Sequence, residues 1–160
     1  MGTDARTLRD AVDAFLAQWK AHGAPLRSAR EWRDDRFLAI GVDPTAEQAS
    51  GCSIDGLFRG LRDLEQRLNT ALVSGGRVFY RDAAGAPQLA ARNELASLGD
   101  RGRIAPDTPV FDTSVTSAVD WRTRFERPAR DSWVGTAIAA SQASQRSSPE
   151  ATNSSSARKE

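Results

Sequence analysis

Apolar residues recur at helical spacing near the start of the chain. Thr3 and Asp4 suit a helix cap and first turn, Leu8, Val12, Phe15, Leu16 and Trp19 follow as one face, and Gly23 ends the run. Pro25 forbids its continuation, and residues 26–32 read as a half-exposed edge strand. The charged turn Arg33-Asp34-Asp35-Arg36 separates this strand from the uninterrupted apolar run Phe37-Leu38-Ala39-Ile40-Gly41-Val42. Such a run is the pattern of a strand covered on both faces, so a hairpin with its second strand inside the sheet is predicted. Asp43-Pro44 closes it. After a loop, Ser53 opens the strongest helix pattern in the chain, a stripe of Ile54, Leu57, Phe58, Leu61, Leu64, Leu68 and Leu72.

Beyond the breaker Ser74-Gly75-Gly76, residues 77–81 read as a strand and Gly85-Ala86-Pro87 as a turn. A short element over residues 89–98 follows, then a last strand near Pro109-Val110-Phe111-Asp112 and a short helix over residues 115–125 carrying Trp121. The pattern predicts an α+β fold in the order α-β-β-α-β-(α)-β-α: a small, mainly antiparallel sheet of three to five strands packed on two main helices. Structure is expected to fade soon after Trp133. Residues 1–140 then form one domain, and residues 141–160, polar and Ser-rich, form a disordered tail too poor in apolar side chains to offset the entropy of ordering.

Composition adds mostly exclusions. The 22 basic and 21 acidic side chains nearly cancel, so no global field draws the chain to nucleic acid or an anionic membrane. Arginine accounts for 20 of those 22 cations, which reads as a compositional bias of a solvated surface. With one cysteine, Cys52, and one histidine, His22, no internal disulfide and no ordinary Cys/His zinc site can form. No metal or other cofactor is expected. A reducing compartment is implied, no apolar leader or membrane span is visible, and the cytoplasm is the expected location.

One constellation carries candidate chemistry. In Ala49-Ser50-Gly51-Cys52-Ser53-Ile54-Asp55 a loop becomes a helix, and the unpaired N–H groups of a first helical turn favour negative charge, a thiolate included. If strands 26–32 and 37–42 are antiparallel, the start of the first and the end of the second lie together. That brings His22, Asp43 and Cys52 to one end of the sheet. A nucleophile, a base, a carboxylate and the amides of residues 51–53 as oxyanion donors are the minimum for acyl transfer or hydrolysis. Ser50, Gly51, Ser53 and Asp55 are the candidate ligand-binding positions. The plainer reading carries more weight: a lone cysteine behaves as a small hydrophobe, Ser and Asp are what a helix start wants, and His22 before Gly23 is an ordinary helix end.

Other signals are weaker. The sequence holds no phosphate loop, no dinucleotide-binding glycine motif, no H-E-x-x-H and no G-x-S-x-G. Arg27, Arg30, Arg33 and Arg36 are neutralised by Glu31, Asp34 and Asp35 and read as a solvated face. Trp121 and Trp133, flanking Pro128 and Asp131-Ser132, read as a clasp over a core.

Taken together, Trp19-Lys20-Ala21-His22-Gly23, the Phe37-to-Asp43 run followed by Ser50-Gly51-Cys52-Ser53-Ile54-Asp55, and Val110-Phe111-Asp112 leading to Trp121, Pro128 and Trp133 resemble a family of small, uncharacterised bacterial proteins with an SGCSID-like motif. Members of that family sometimes carry the label of a transporter ATPase, a chemistry for which this chain lacks the phosphate-loop lysine. The resemblance implies a bacterial protein whose site centres on His22, Asp43 and Cys52. The expected function is a binding or regulatory domain that takes a small molecule or a protein at that edge. The alternatives are a cysteine-dependent acyl-transfer or hydrolase enzyme and a redox-sensing thiol, the latter with no resolving partner in the chain.

Overall fold

A computed structural model of the chain describes residues 2–72 and 75–146. The fold is mixed α+β, and the described residues divide into two compact units. One comprises residues 2–72, 75–77 and 113–125, the other residues 78–112 and 126–146. Where the pattern of the sequence predicts one sheet, the strands form three, of two, two and four strands.

The first unit opens with α1 (Gly2–Ala17), so Thr3 lies within the helix. The helix stops six residues before Gly23, because the chain turns back there as a miniature hairpin. β1 (Lys20–Ala21) pairs antiparallel with β2 (Ala24–Pro25) around His22-Gly23, both at positive φ (51° and 85°). Two consecutive positive φ values are the signature of the tight two-residue turn that matches strand twist. Trp19 kept helical spacing in the sequence but sits beyond the helix, buried with Ala21 and Leu26. Its indole N–H donates to the Ser53 carbonyl at 2.9 Å.

β3 (Ser28–Arg33) and β4 (Phe37–Val42) form the expected hairpin, in register from Ser28↔Val42 to Arg33↔Phe37. Its turn holds Asp34 and Asp35 at φ 55° and 49°. On one face Trp32, Leu38 and Ile40 pack with Leu8, Val12 and Leu64, the last from α2 (Gly51–Leu68). On the other, Phe37 meets Phe125 edge-on with ring centroids 5.0 Å apart, and Arg33 stacks on Trp121. Both aromatic partners belong to the segment holding α4 (Ala118–Thr123). β4 does not lie inside a sheet as expected: β3 is its one strand neighbour among the described residues.

The second unit is built on a four-stranded sheet, in the order β6 (Pro87–Ala91), β5 (Arg77–Arg81), β7 (Pro109–Phe111) and β8 (Glu126–Pro128). The expected element over 89–98 resolves into β6, a single 3-10 turn and α3 (Leu95–Asp100). Val78, Tyr80 and Val110 bury one sheet face against Leu95, Ile104, Ala129, Val134 and Ile138. Val134 and Ile138 come from α5 (Trp133–Arg146), which the sequence pattern does not predict. The Ser132 hydroxyl accepts the Val134 N–H at its start, and Gly135 lets the helix lie against the Ala129 carbonyl. Residues 141–146 of the expected tail complete α5, where alanine and glutamine sustain the helix. Residues 147–160 lie outside the described residues.

Candidate functional site

α2 begins one turn earlier than the stripe suggested, because Ser50, not Ser53, caps it. Ser50 is extended (φ −85°, ψ 161°) and its hydroxyl accepts the Ser53 N–H at 3.2 Å. The Ser53 hydroxyl returns a hydrogen bond to the Ser50 carbonyl at 2.8 Å, and Ser53 is 8% exposed. With the Ser53 carbonyl held by Trp19, this turn is fixed from both sides. Gly51 and Cys52 stand exposed on its outer surface. Asp55 faces solvent in an ion pair with Arg59 one turn on, at 2.5 Å.

Asp43 is placed as the hairpin geometry requires: its N–H donates to the Arg27 carbonyl at 2.8 Å, joining the start of β3 to the end of β4. Its carboxylate closes its own turn. One oxygen accepts both the hydroxyl and the N–H of Thr45, at 2.7 and 2.9 Å, and the other lies 3.5 Å from Arg27. The Thr45 hydroxyl above all, then the Thr45 N–H, holds the Asp43 carboxyl below the ordinary carboxylate range, with Arg27 adding a smaller pull. His22 projects exposed from the β1–β2 turn. Among the described residues no hydrogen bond or ion pair joins His22, Asp43 and Cys52 to one another. No three His, Cys, Asp or Glu side chains there converge as metal ligands. No helix among the described residues is long and apolar enough to cross a membrane.

The sequence motifs overlook a second feature of the first unit. α1 and α2 leave between them a cleft of about 340 Å³, floored by Val12, Phe15, Leu57 and Leu64, with Gln18 and Arg67 as its polar groups. Gly60 faces the Phe15 ring where the two helices meet; a Cβ there would stand 3.6 Å from the ring, an ordinary van der Waals contact. Arg67 is held at 3.0 Å by Asp63 in an exposed pair. The signal was the small residues Gly60 on α2 and Ala11 and Ala14 on α1, which carry no chemistry of their own. No protein-family model, no curated protein and no solved structure matches this chain, and its own residues are therefore what the site is argued from.

Proposed function

We propose that the protein is a non-catalytic binding or regulatory module of the bacterial cytoplasm whose ligand is a small amphipathic anion seated between α1 and α2. The observation that carries this reading is the cleft itself. Its volume of about 340 Å³ is at the lower end of ligand-sized cavities, and an apolar floor with a few polar groups is the usual make-up of such sites. A chain with an apolar tail and one carboxylate would lay the tail over Val12, Phe15 and Leu57 and offer the carboxylate to Arg67. Releasing Arg67 from Asp63 costs little, since exposed pairs contribute about 0–1 kcal/mol. Titration calorimetry with decanoate tests the reading. Saturable one-to-one binding that is lost in Gly60→Leu and weakened about tenfold in Arg67→Gln is expected. Absence of binding, or binding indifferent to both changes, overturns it.

A thiol reading is favoured by one observation, the exposure of Cys52 in the first turn of α2. In it the Cys52 thiolate attacks a small disulfide, forming a mixed disulfide and releasing the other half as a thiol, or acts as a nucleophile served by His22 with Asp43 orienting the ring. The second role needs the base within about 2.6–3.2 Å of the proton it takes. Mass spectrometry after exposure to oxidised glutathione, with a thioester hydrolysis assay alongside, separates the two. An adduct without turnover supports the sensor, turnover lost in both Cys52→Ala and His22→Ala supports the enzyme, and the absence of both adduct and turnover removes the thiol from consideration.

A further inference from the structure

The two polar groups of the α1–α2 cleft stand at opposite ends of it. α1 and α2 run antiparallel: Leu57 belongs to the cluster of Phe15 and Trp19, Gly60 faces the Phe15 ring, and Leu64 packs with Val12 and Leu8. Gln18 therefore lies at the Leu57 end, and Arg67, just past Leu64, lies at the other. Every other residue lining the cleft is apolar.

Both ends are held in place. The Gln18 N–H donates to the Phe15 carbonyl at 3.1 Å, and the next residue, Trp19, is tied to the Ser53 carbonyl at 2.9 Å. The Gln18 side-chain amide offers two N–H donors and a carbonyl acceptor, and among the described residues it makes no hydrogen bond of its own. Arg67 is drawn back along α2 to Asp63, at 3.0 Å, so its guanidinium stands near the level of Asp63. From that level to Leu57 is about 9 Å of helix, at about 1.5 Å per residue. An extended chain advances about 1.2 Å per bond, a third of its residue repeat, so about eight bonds cover that distance.

We propose that the ligand of this cleft is polar at both ends: a carboxylate for Arg67, a saturated stretch over Phe15, Leu57 and Leu64, and a neutral hydroxyl for Gln18. The inference rests on the reading of the cleft as the seat of an amphipathic anion and narrows that ligand to an ω-hydroxy acid of about eight carbons. In such sites a few placed polar groups fix orientation while the apolar lining supplies contact. A plain fatty acid of that length brings its methyl end against the Gln18 amide and displaces water from it without replacing the hydrogen bond. A second carboxylate fits the end at Gln18 worse than a hydroxyl does, because no charged group lines that end to offset its loss of water.

Titration calorimetry on the full chain with 8-hydroxyoctanoate, octanoate and octanedioate tests the inference. The hydroxy acid is expected to bind about fivefold more tightly than octanoate, the effect of about one hydrogen bond. Gln18→Leu is expected to abolish that preference without weakening octanoate, and Gln18→Lys to pass the preference to octanedioate. Equal binding of octanoate and the hydroxy acid by the wild type, or a preference that survives Gln18→Leu, overturns the inference and leaves the cleft as a site for simple amphipathic anions. Failure of all three acids and of decanoate to bind overturns the inference and the reading of the cleft together. Should the Gln18 variants unfold, the side-chain amide resonances of Gln18 in the wild type decide: a larger shift with 8-hydroxyoctanoate than with octanoate supports the bipolar ligand, and equal shifts or none overturn it.

Discussion

Two helical glycines, changed to the same residue, should move stability in opposite directions. At Gly56, inside α2, an added Cβ meets nothing nearer than an Arg59 guanidinium nitrogen at 4.0 Å. Gly56→Ala therefore gains the helix-interior difference between the two residues, about 1 kcal/mol. At Gly135, in the first turn of α5, the same propensity gain is set against a Cβ placed 2.4 Å from the Ala129 oxygen and 2.9 Å from its carbon. Those are backbone atoms, and the oxygen already accepts the N–H and hydroxyl of Ser132, at 3.0 and 2.9 Å. Displacing it strains or breaks bonds contributing about 1 kcal/mol each, and overpacking costs about 1–3 kcal/mol more. The balance is a net loss of about 1–3 kcal/mol for Gly135→Ala. Urea unfolding followed by tryptophan fluorescence reads both changes as shifts of the midpoint at constant slope. If Gly135→Ala stabilises the protein as much as Gly56→Ala does, α5 does not start against Ala129 and the packing described for the second unit is wrong.

Ser50→Ala removes the cap of α2 and should cost about 1 kcal/mol in the same assay, while Ser50→Asp should cost far less; equal losses would mean that the cap bond is not made. Asp13 sits 2.5 and 2.6 Å from the Arg30 guanidinium, whose hydrogen bond holds its carboxyl below the ordinary range. A depressed carboxyl contributes stability that is present above its unfolded value of about 3.9 and fades as pH falls through the lower folded value, so the melting-temperature gap between wild type and Asp13→Asn should be open at pH 7 and close below about pH 4. A gap that is the same at pH 3 would place its origin elsewhere. The exposed Cys52 thiol should react with a small disulfide reagent in the folded protein at a rate within about tenfold of the urea-unfolded chain. Protection by orders of magnitude would mean that the first turn of α2 is covered.

Where two apolar runs were bounded by strongly polar residues, the pattern was enough. Arg33-Asp34-Asp35-Arg36 set the β3–β4 turn, and the leucine stripe set α2 to within a few residues. The failures have separate physical causes. Trp19 satisfies a helical period and a strand core alike, and its place was decided by the need of a buried indole N–H for an acceptor, found on Ser53. His22-Gly23 looked like a helix stop because glycine serves both there and in a hairpin turn. β8 holds Pro128, which weakens a strand signal, and lies at the end of its sheet where proline is tolerated. α5 carries a glycine, a threonine and two serines, so its helix rests on packing of Val134 and Ile138 as well as on propensity. Of the candidate site, the proximity of the strand ends was legible. The commitment of the Asp43 carboxylate to Thr45 and of Ser50 to capping was not, because turn chemistry and catalytic chemistry use the same residue types.

The chain order of the first unit bears on how the protein is made. Phe37 is packed edge-on against Phe125, and Trp121 and Phe125 lie in a segment synthesised only after residues 78–112 of the second unit have been laid down. An emerging N-terminal stretch can close α1 and α2 over the Leu38 and Ile40 face of the hairpin long before the opposite face finds its aromatics. During that interval β4 carries an uncovered phenylalanine as well as an open edge. A chaperone that recognises short apolar strands would find its best target there, and a chain cut after residue 77 would keep that exposed state permanently.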